Sequence, residues 1–339
     1  MVFLSVVVVS FLSAWVWNEI FLRFARRLGA LSQGIPNQRR WNSQRKPIIG
    51  GLSFFVVALA LGAWQPEGLS VSRAFWAGGF VAFLTGLADD AFVAIPFLKL
   101  IGQLGAVTAA LAFGAPTLSL QPDWLSIPLT LFWYAAVMNA FNMMDNMDGV
   151  SGSLALALLL TSPWLLPSED HLLLYLGLAG ALAAFLVRNW HPSHLYMGDN
   201  GSQFLGFVLA YWGTQVFHTL PFEKGWMRLV WLVGLFALLA GDTFWVIISR
   251  LARGQHPFHG GTDHLTHRLA QMGWAVSAIP LILGGTQTVL GLLAISLTRY
   301  KEGWVGSLFL VGVVGLLMGY VHLRHLRRLF SLARVRLPS

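Results

Sequence analysis

Seven aspartates, Asp89, Asp90, Asp145, Asp148, Asp199, Asp242 and Asp263, each fall at or beside the end of an apolar stretch of this chain. Carboxylates at membrane depth are costly and by default mark a functional site. Gathered together, they are the oxygen ligands that Mg²⁺ takes alongside substrate phosphates. The remaining acidic residues are Glu19, near the inner end of the first apolar stretch, and Glu67, Asp123, Glu169, Asp170, Glu223 and Glu302, which read as solvated loop charges.

The local contexts sharpen this. Asp89-Asp90 closes an apolar run, with Lys99 nine residues on and then Gln103. Adjacent carboxylates repel unless a cation or a shared proton offsets them, so the pair suits Mg²⁺ or a proton from a phosphate nucleophile. Lys99 alone reads as a snorkelling helix-end lysine. In Asn139-Ala-Phe-Asn-Met-Met-Asp-Asn-Met-Asp-Gly149, Asn139, Asn142 and Asn146 share a helix face by their spacing, and Asp145 neighbours Asp148. In Tyr196-Met-Gly-Asp-Asn-Gly-Ser-Gln203, the glycines permit close backbone approach. There Asp199 is a metal-ligand candidate, and Ser202 lies near a helix N-terminus, where phosphate binds. Asn189, ten residues before Asp199, is grouped with this turn.

The last motif is a loop, Pro257-Phe-His-Gly-Gly-Thr-Asp-His-Leu-Thr-His-Arg-Leu269. His264 and His267 are one turn apart if helical, a spacing that a zinc pair can use. With no Cys in the chain, imidazole donors and Arg268 holding a diphosphate fit better. His256 and His259 precede them. His191 and His194 beside Pro192 read as loop residues, and His322 and His325 as part of a basic tail, none of them catalytic.

Membrane helices must position these groups. With 56% hydrophobic and only 11% charged residues, the chain lacks the roughly 25% charge of soluble domains. Fifteen Trp and 24 Phe suit lipid-facing helices and interfacial belts. A spanning helix needs about 20 mainly apolar residues, and the pattern predicts about eleven, near 2–22, 48–64, 74–88, 99–115, 124–141, 151–166, 172–187, 203–219, 227–249, 273–294 and 303–321. The first is read as a retained span, because it lacks a basic start and a cleavage site. An external N-terminus puts 17 of the 22 basic residues inside, leaving Arg73, Lys224, Arg228, Arg299 and Lys301 outside. That bias sets the orientation and matches anionic lipid headgroups, so a nucleic-acid partner is not needed to explain the +8 charge. The expected fold is an all-α polytopic membrane protein, residues 1–339 forming a single domain. Its motifs lie within about 25–270, and a basic tail covers 322–339.

These ordered motifs resemble the polyprenyl-phosphate N-acetylhexosamine-1-phosphate transferases, glycosyltransferase family 4. Pro36-Asn37 through Pro47-Ile-Ile-Gly-Gly51 belongs to the resemblance, with Asp89-Asp90 and Lys99, Asn139 through Gly149, Met197 through Ser202, and the histidine loop. The loop ending His264-Leu-Thr-His-Arg-Leu269 is similar to bacterial enzymes that start O-antigen or other surface polysaccharides, and lacks the three consecutive His of the peptidoglycan-precursor branch. Asn42 departs from a His common after the Arg pair, and Gly34 from an Asp common before the Pro.

The resemblance implies a UDP-HexNAc donor (GlcNAc or a relative such as FucNAc), undecaprenyl phosphate as acceptor, UMP as product, and Mg²⁺ with Mn²⁺ as substitute. It implies a site on the cytoplasmic face of a bacterial inner membrane, among membrane lipids, and a homodimer is compatible with it. Asp199 becomes the leading metal ligand, with Asn142 second. Asp89 and Asp90 would serve the lipid phosphate, Asp145 and Asp148 the uridine or metal, and His264 and His267 the donor. Lys99, Asn139, Asn142, Asn189, Ser202, His259 and Arg268 are the expected substrate contacts.

Two other classes use parts of this pattern. An intramembrane prenyltransferase has Asp-rich helix ends and Mg²⁺, but the Gly-Asp-Asn-Gly-Ser turn and the histidine loop are then unexplained. A transporter predicts ionisable residues near mid-span and helices broken at the bilayer centre, whereas these carboxylates sit at helix ends. The orientation is testable: a reporter fused after Ser339 is expected on the cytoplasmic side, and periplasmic phosphatase activity from that fusion would sink the eleven-span topology.

Overall fold

The computed structural model describes residues 2–28, 46–64, 72–92, 95–166, 171–256 and 261–335. Every regular element in them is a helix. Lipid offers no water to backbone N–H and C=O groups, so a spanning segment satisfies them internally. The first half runs α1 (Val2–Leu28), α2 (Gly50–Trp64), α3 (Arg73–Phe92), α4 (Pro96–Ala112), α5 (Ser126–Met144), α6 (Val150–Leu159) and the one-turn α7 (Ser162–Leu165). The second runs α8 (Leu172–Asn189), α9 (Gly198–Thr219), α10 (Gly225–Leu235), α11 (Ala237–Ala252), the short α12 (Leu265–Gln271), α13 (Ile279–Leu297) and α14 (Gly303–Val335).

By length and composition α1, α5, α8, α13 and α14 can each cross a membrane, and α10 with α11 makes a sixth if the bent pair is one span. The chain is a multi-pass membrane protein. Eleven separate spans are more than these helices mark out. Helices α2, α4 and α6–α7 are apolar but short, and α3 and α9 are long enough but fall outside the apolar set because polar motif residues sit within them.

Two runs read from the sequence as continuous are broken. The run 227–249 is two helices bent by 81°, because Phe236 leaves helical geometry (φ −94°, ψ 16°) and sets its ring edge-on against Trp133, 5.1 Å away. The run 151–166 breaks between Leu159 and Ser162, where Pro163 opens α7 and supplies no N–H to continue the ladder.

Helix α9 is the centre. It packs on α2, α3 and α5 and is buried almost continuously from Asn200 to Phe217. Since lipid is as apolar as the helix faces, association rests on close packing, and small residues let backbones approach. Aromatic rings fill the rest: Phe55 stacks on Phe83 at 3.9 Å and meets Phe204 of α9 edge-on at 5.1 Å.

At the motif end the fit becomes tightest. A Cβ on Gly86 of α3 would lie 2.1 Å from the Asp199 carbonyl oxygen, and one on Gly51 of α2 would lie 2.4 Å from the Gly201 nitrogen. Neither neighbour is a side chain that can swing away. Gly86→Ala is therefore expected to destabilise the protein by about 1–3 kcal/mol, the usual cost of overpacking, seen as a lowered thermal unfolding midpoint in detergent. Gly312→Ala in α14, where nothing lies within 4 Å of the added carbon, is expected to change stability by no more than about 0.5 kcal/mol. Equal midpoints for the two variants would refute the packing argument.

Candidate active site

The site is built around the start of α9. Its first N–H groups have no partner within the helix, and a carboxylate from another helix takes them up. Asp90, in the last turn of α3, accepts the backbone N–H groups of Asp199 and Asn200, each at 2.9 Å, and the Asn200 side-chain amide at 2.6 Å. Gly198, at φ +78°, turns the chain into this arrangement without the penalty a side chain would carry. The start of α2 joins in, with Gly50 and Gly51 N–H donating to the Tyr196 and Met197 carbonyls at 2.9 Å.

Fixed in this way, the Asp199 carboxylate meets the Lys99 ammonium and the Asn142 amide. Lys99 Nζ of α4 lies 2.5 Å from Asp89 Oδ2, 3.0 Å from Asp199 Oδ1 and 3.1 Å from Asn142 Oδ1. The Asn142 amide donates to Asp199 Oδ1 at 2.5 Å and to Ser202 Oγ at 2.7 Å. Adjacent residues on a helix point about 100° apart, so Asp89 faces Lys99 while Asp90 faces the start of α9. Three oxygens, from Asp89, Asp199 and Asn142, thus converge on one cationic point. Among the described residues no group of three or more His, Cys, Asp or Glu side chains is placed to hold a metal, so a cation here needs the Asn142 amide oxygen as well. This all-oxygen donor set fits Mg²⁺.

The histidine loop docks beside this centre. Asp242, buried in α11, accepts from His264 Nδ1 and from Leu265 N–H, both at 2.7 Å, and so starts α12. Asp263 is clamped by Arg250 at 2.8 and 3.0 Å and by Arg253 at 2.7 Å. Burial alone would raise its pKa, but the Arg250 pair overrides this and holds it at about 2. Arg268 is buried, gives its Nε–H to the Asp263 carbonyl at 2.7 Å, and has no partner for Nη1 among the described residues. Thr266 Oγ1 donates to Asn146 Oδ1 at 2.6 Å, which ties the loop to the end of α5, one turn beyond Asn142. His264 and His267 rings are 6.0 Å apart.

Other expected site residues have structural partners. Asn189 is 3% exposed, and its amide bridges Gly149 N–H and the Leu195 carbonyl, both at 2.8 Å. Asp148 accepts from His191 Nδ1, Ser193 N–H and Ser193 Oγ, and Lys46 Nζ donates to Ser193 Oγ at 3.0 Å. These contacts brace the segment leading into α9. Asp145 accepts from Ser151 at 2.6 Å; its enclosure pushes the carboxyl up to about 7, the Ser151 hydrogen bond opposing and the charges of Asp199, Asp90 and Asp148 assisting. Asn139 donates to the Met143 sulfur at 3.5 Å. His259, Asn42 and Gly34 lie outside the described residues.

Asp242, grouped in the sequence with the helix-end aspartates, lies inside α11, and the partners of Asn200 and Asn146 follow from no local spacing. As the only acidic residue in the apolar run 227–249, Asp242 calls for a partner, and the structure supplies His264 and the Leu265 N–H.

Residues 72–216 match the family model for glycosyl transferase family 4, a stretch that carries Asp89, Asp90, Lys99, Asn142, Asp199 and Ser202. A decaprenyl-phosphate N-acetylglucosaminephosphotransferase of Mycobacterium tuberculosis is 30% identical over 299 residues, covering 76% of this chain and 73% of that one. A probable undecaprenyl-phosphate N-acetylglucosaminyl 1-phosphate transferase of Bacillus subtilis is 29% identical over 285 residues, 78% of this chain and 76% of that one. A phospho-N-acetylmuramoyl-pentapeptide-transferase of Oceanobacillus iheyensis is 27% identical over 307 residues, 80% and 90%.

The loop has a measurable electrostatic signature. Burial, and then the charge of His264, pushes His267 down from 6.5 to about 4, so the unfolded chain binds a proton between those values that the folded protein refuses. Stability from this group is complete above pH 6.5 and falls as pH drops towards 4, by up to about 1.4 kcal/mol per pH unit. His267→Gln is expected to flatten that part of an unfolding-versus-pH curve. An unchanged slope would contradict the neutral, buried imidazole.

Proposed function

Because the chain belongs to glycosyl transferase family 4, as a polyprenyl-phosphate sugar-1-phosphate transferase, we propose that it moves HexNAc-1-phosphate from a UDP-HexNAc to undecaprenyl phosphate. The convergence of Lys99, Asp89, Asp199, Asn142 and Ser202 at one end of the bundle, beside a loop with a spare guanidinium N–H, carries this reading. The reaction would lie on the cytoplasmic face of a bacterial inner membrane. It would be the first membrane step of O-antigen or a related cell-envelope polysaccharide.

An oxygen of the lipid phosphate attacks the donor phosphorus that bears the sugar. The bond from that phosphorus to the bridging oxygen breaks, and UMP leaves with the electron pair. The lipid phosphate is already anionic and needs little activation, so the protein's task is to align two anions and offset their charge. Lys99 serves the reacting phosphates. Asp89 sets the field on Lys99, and Asp90 holds the α9 start that carries Asp199 and Ser202. Arg268 offers its free Nη1 to the diphosphate, a charge-assisted bond, and His264, oriented by Asp242, presents its other ring nitrogen to the donor. Mg²⁺, when bound by Asp199, Asn142 and Asp89, would neutralise phosphate charge. Asn189 and Asp148 act as braces in this scheme.

The direct test supplies purified protein with undecaprenyl phosphate, a panel of UDP-sugars and Mg²⁺, and measures UMP. UMP is expected to appear in step with lipid-linked sugar, and Asp199→Asn is expected to reduce turnover by roughly 100-fold or more, the scale of a lost metal contribution. Pyrophosphate as the product would identify an intramembrane prenyltransferase instead. A folded Asp199→Asn enzyme with normal turnover would remove Asp199 from the centre.

A further inference from the structure

We infer that Lys99 is an exchangeable counter-ion: its ammonium holds the divalent-cation position in the metal-free enzyme and is expelled towards the substrate phosphates when metal binds. The inference deepens the transferase reading and rests on it for the destination of the lysine, but the exchange itself needs no substrate.

The geometry points to it. Asp89 Oδ2, Asp199 Oδ1 and Asn142 Oδ1 lie at 2.5, 3.0 and 3.1 Å from Lys99 Nζ. A simple structural ion pair would need one carboxylate. Here two carboxylates from α3 and α9 and an amide oxygen from α5 surround a single point, and the donor set is the one Mg²⁺ prefers, with oxygens at about 2.0–2.1 Å. Asn142 is held with its oxygen towards that point because its N–H groups go to Asp199 and Ser202.

An ammonium and a dication cannot share this point, since both would sit within contact distance of the same three oxygens. The charge balance explains why one of them must be present. Asp89 and Asp199 without a cation would repel each other in partly buried surroundings, and with Lys99 the group totals −1. Adding Mg²⁺ with Lys99 retained would bring it to +1 with two cations crowded together. Releasing Lys99 leaves the metal and two carboxylates neutral and frees one positive charge for the incoming anions. Lys99 lies in the first turn of α4, with its side chain 17% exposed, so it can leave the centre without unfolding the helix.

The chain has four lysines, Lys46, Lys99, Lys224 and Lys301, which permits a clean measurement on the wild-type protein in detergent without substrates. An acetylating reagent is applied with and without saturating Mg²⁺, and labelling is read by peptide mass spectrometry. Lys99 labelling is expected to rise severalfold with Mg²⁺, while the exposed Lys224 and Lys301 stay constant. Lys99→Met is expected to bind Mn²⁺ tighter by about tenfold or more, by electron paramagnetic resonance of free Mn²⁺, since an internal competitor is gone; changes of that size are usual when groups around a metal site are altered. Unchanged or reduced Lys99 labelling, no tightening in Lys99→Met, or no metal binding in the absence of substrate would each overturn the exchange. A protein that shows the exchange but makes no UMP would instead overturn the transferase reading.

Discussion

The start of α9 depends on a carboxylate that arrives from a residue 109 positions earlier in the chain. A helix that begins inside an apolar bundle carries N–H groups that neither water nor its own backbone can satisfy. Asp90 supplies the acceptors. Once it does, the first turn of α9 has a fixed height and rotation relative to α3, and Asp199 and Ser202 point where they do as a consequence. The glycines at 51 and 86 allow the backbones to come close enough for that contact. The neighbouring Asp89, turned by one helical step, is then left to face Lys99. Two adjacent residues of the same type therefore do different work, one holding the frame and the other pairing with Lys99.

The same division runs through the whole motif end. Asn189, Asp148, Asn146 and Asp242 spend their hydrogen-bonding groups on backbone or on side chains from other segments. Each ties an irregular stretch to a helix, and irregular backbone at membrane depth persists only when something satisfies it. Within the bundle the polar contacts are fewer and run directly between helices, as Gln103 to Gln203 and Tyr134 to Thr214, and close glycines and aromatic rings fill the rest. The polar residues gather at one end because that is where helices stop and backbone groups become free, and a site assembled there inherits rigid supports.

This explains what the sequence could and could not disclose. Carboxylates and amides in an apolar chain stand out by composition, and apolar runs of sufficient length announce helices, so the all-helical class and the motif end were legible. The use made of each polar group was not. Asp90 and Asn200 lie 110 residues apart, and Asn146 and Thr266 lie 120 apart; no local pattern records that they meet. Asn189 reads like a ligand because it precedes the Asp199 turn, yet its amide is consumed by Gly149 and Leu195. The bend at Phe236 is hidden for a similar reason, since no proline marks the run and the ring packs on Trp133 from a distant part of the chain.

Electrostatics sets the remaining constraint. Asp89 and Asp199 place negative charge around Lys99, where, in the proposed reaction, two anionic phosphates must meet. Lys99 is the cation between them, while Arg250, Arg253 and Arg268 belong to α11 and the α12 loop. Arg250 and Arg253 are committed to Asp263, which leaves Arg268 as the loop's spare donor. The loop in turn is positioned by the Arg250 and Arg253 clamp on Asp263, the Asp242 carboxylate, and the Thr266–Asn146 hydrogen bond at the end of α5. Because Asn146 lies one turn beyond Asn142, the loop and the central amide are anchored at the same helix end. In the proposed reaction the loop's Arg268 and the central Lys99 would face the two anions from supports joined at the end of α5.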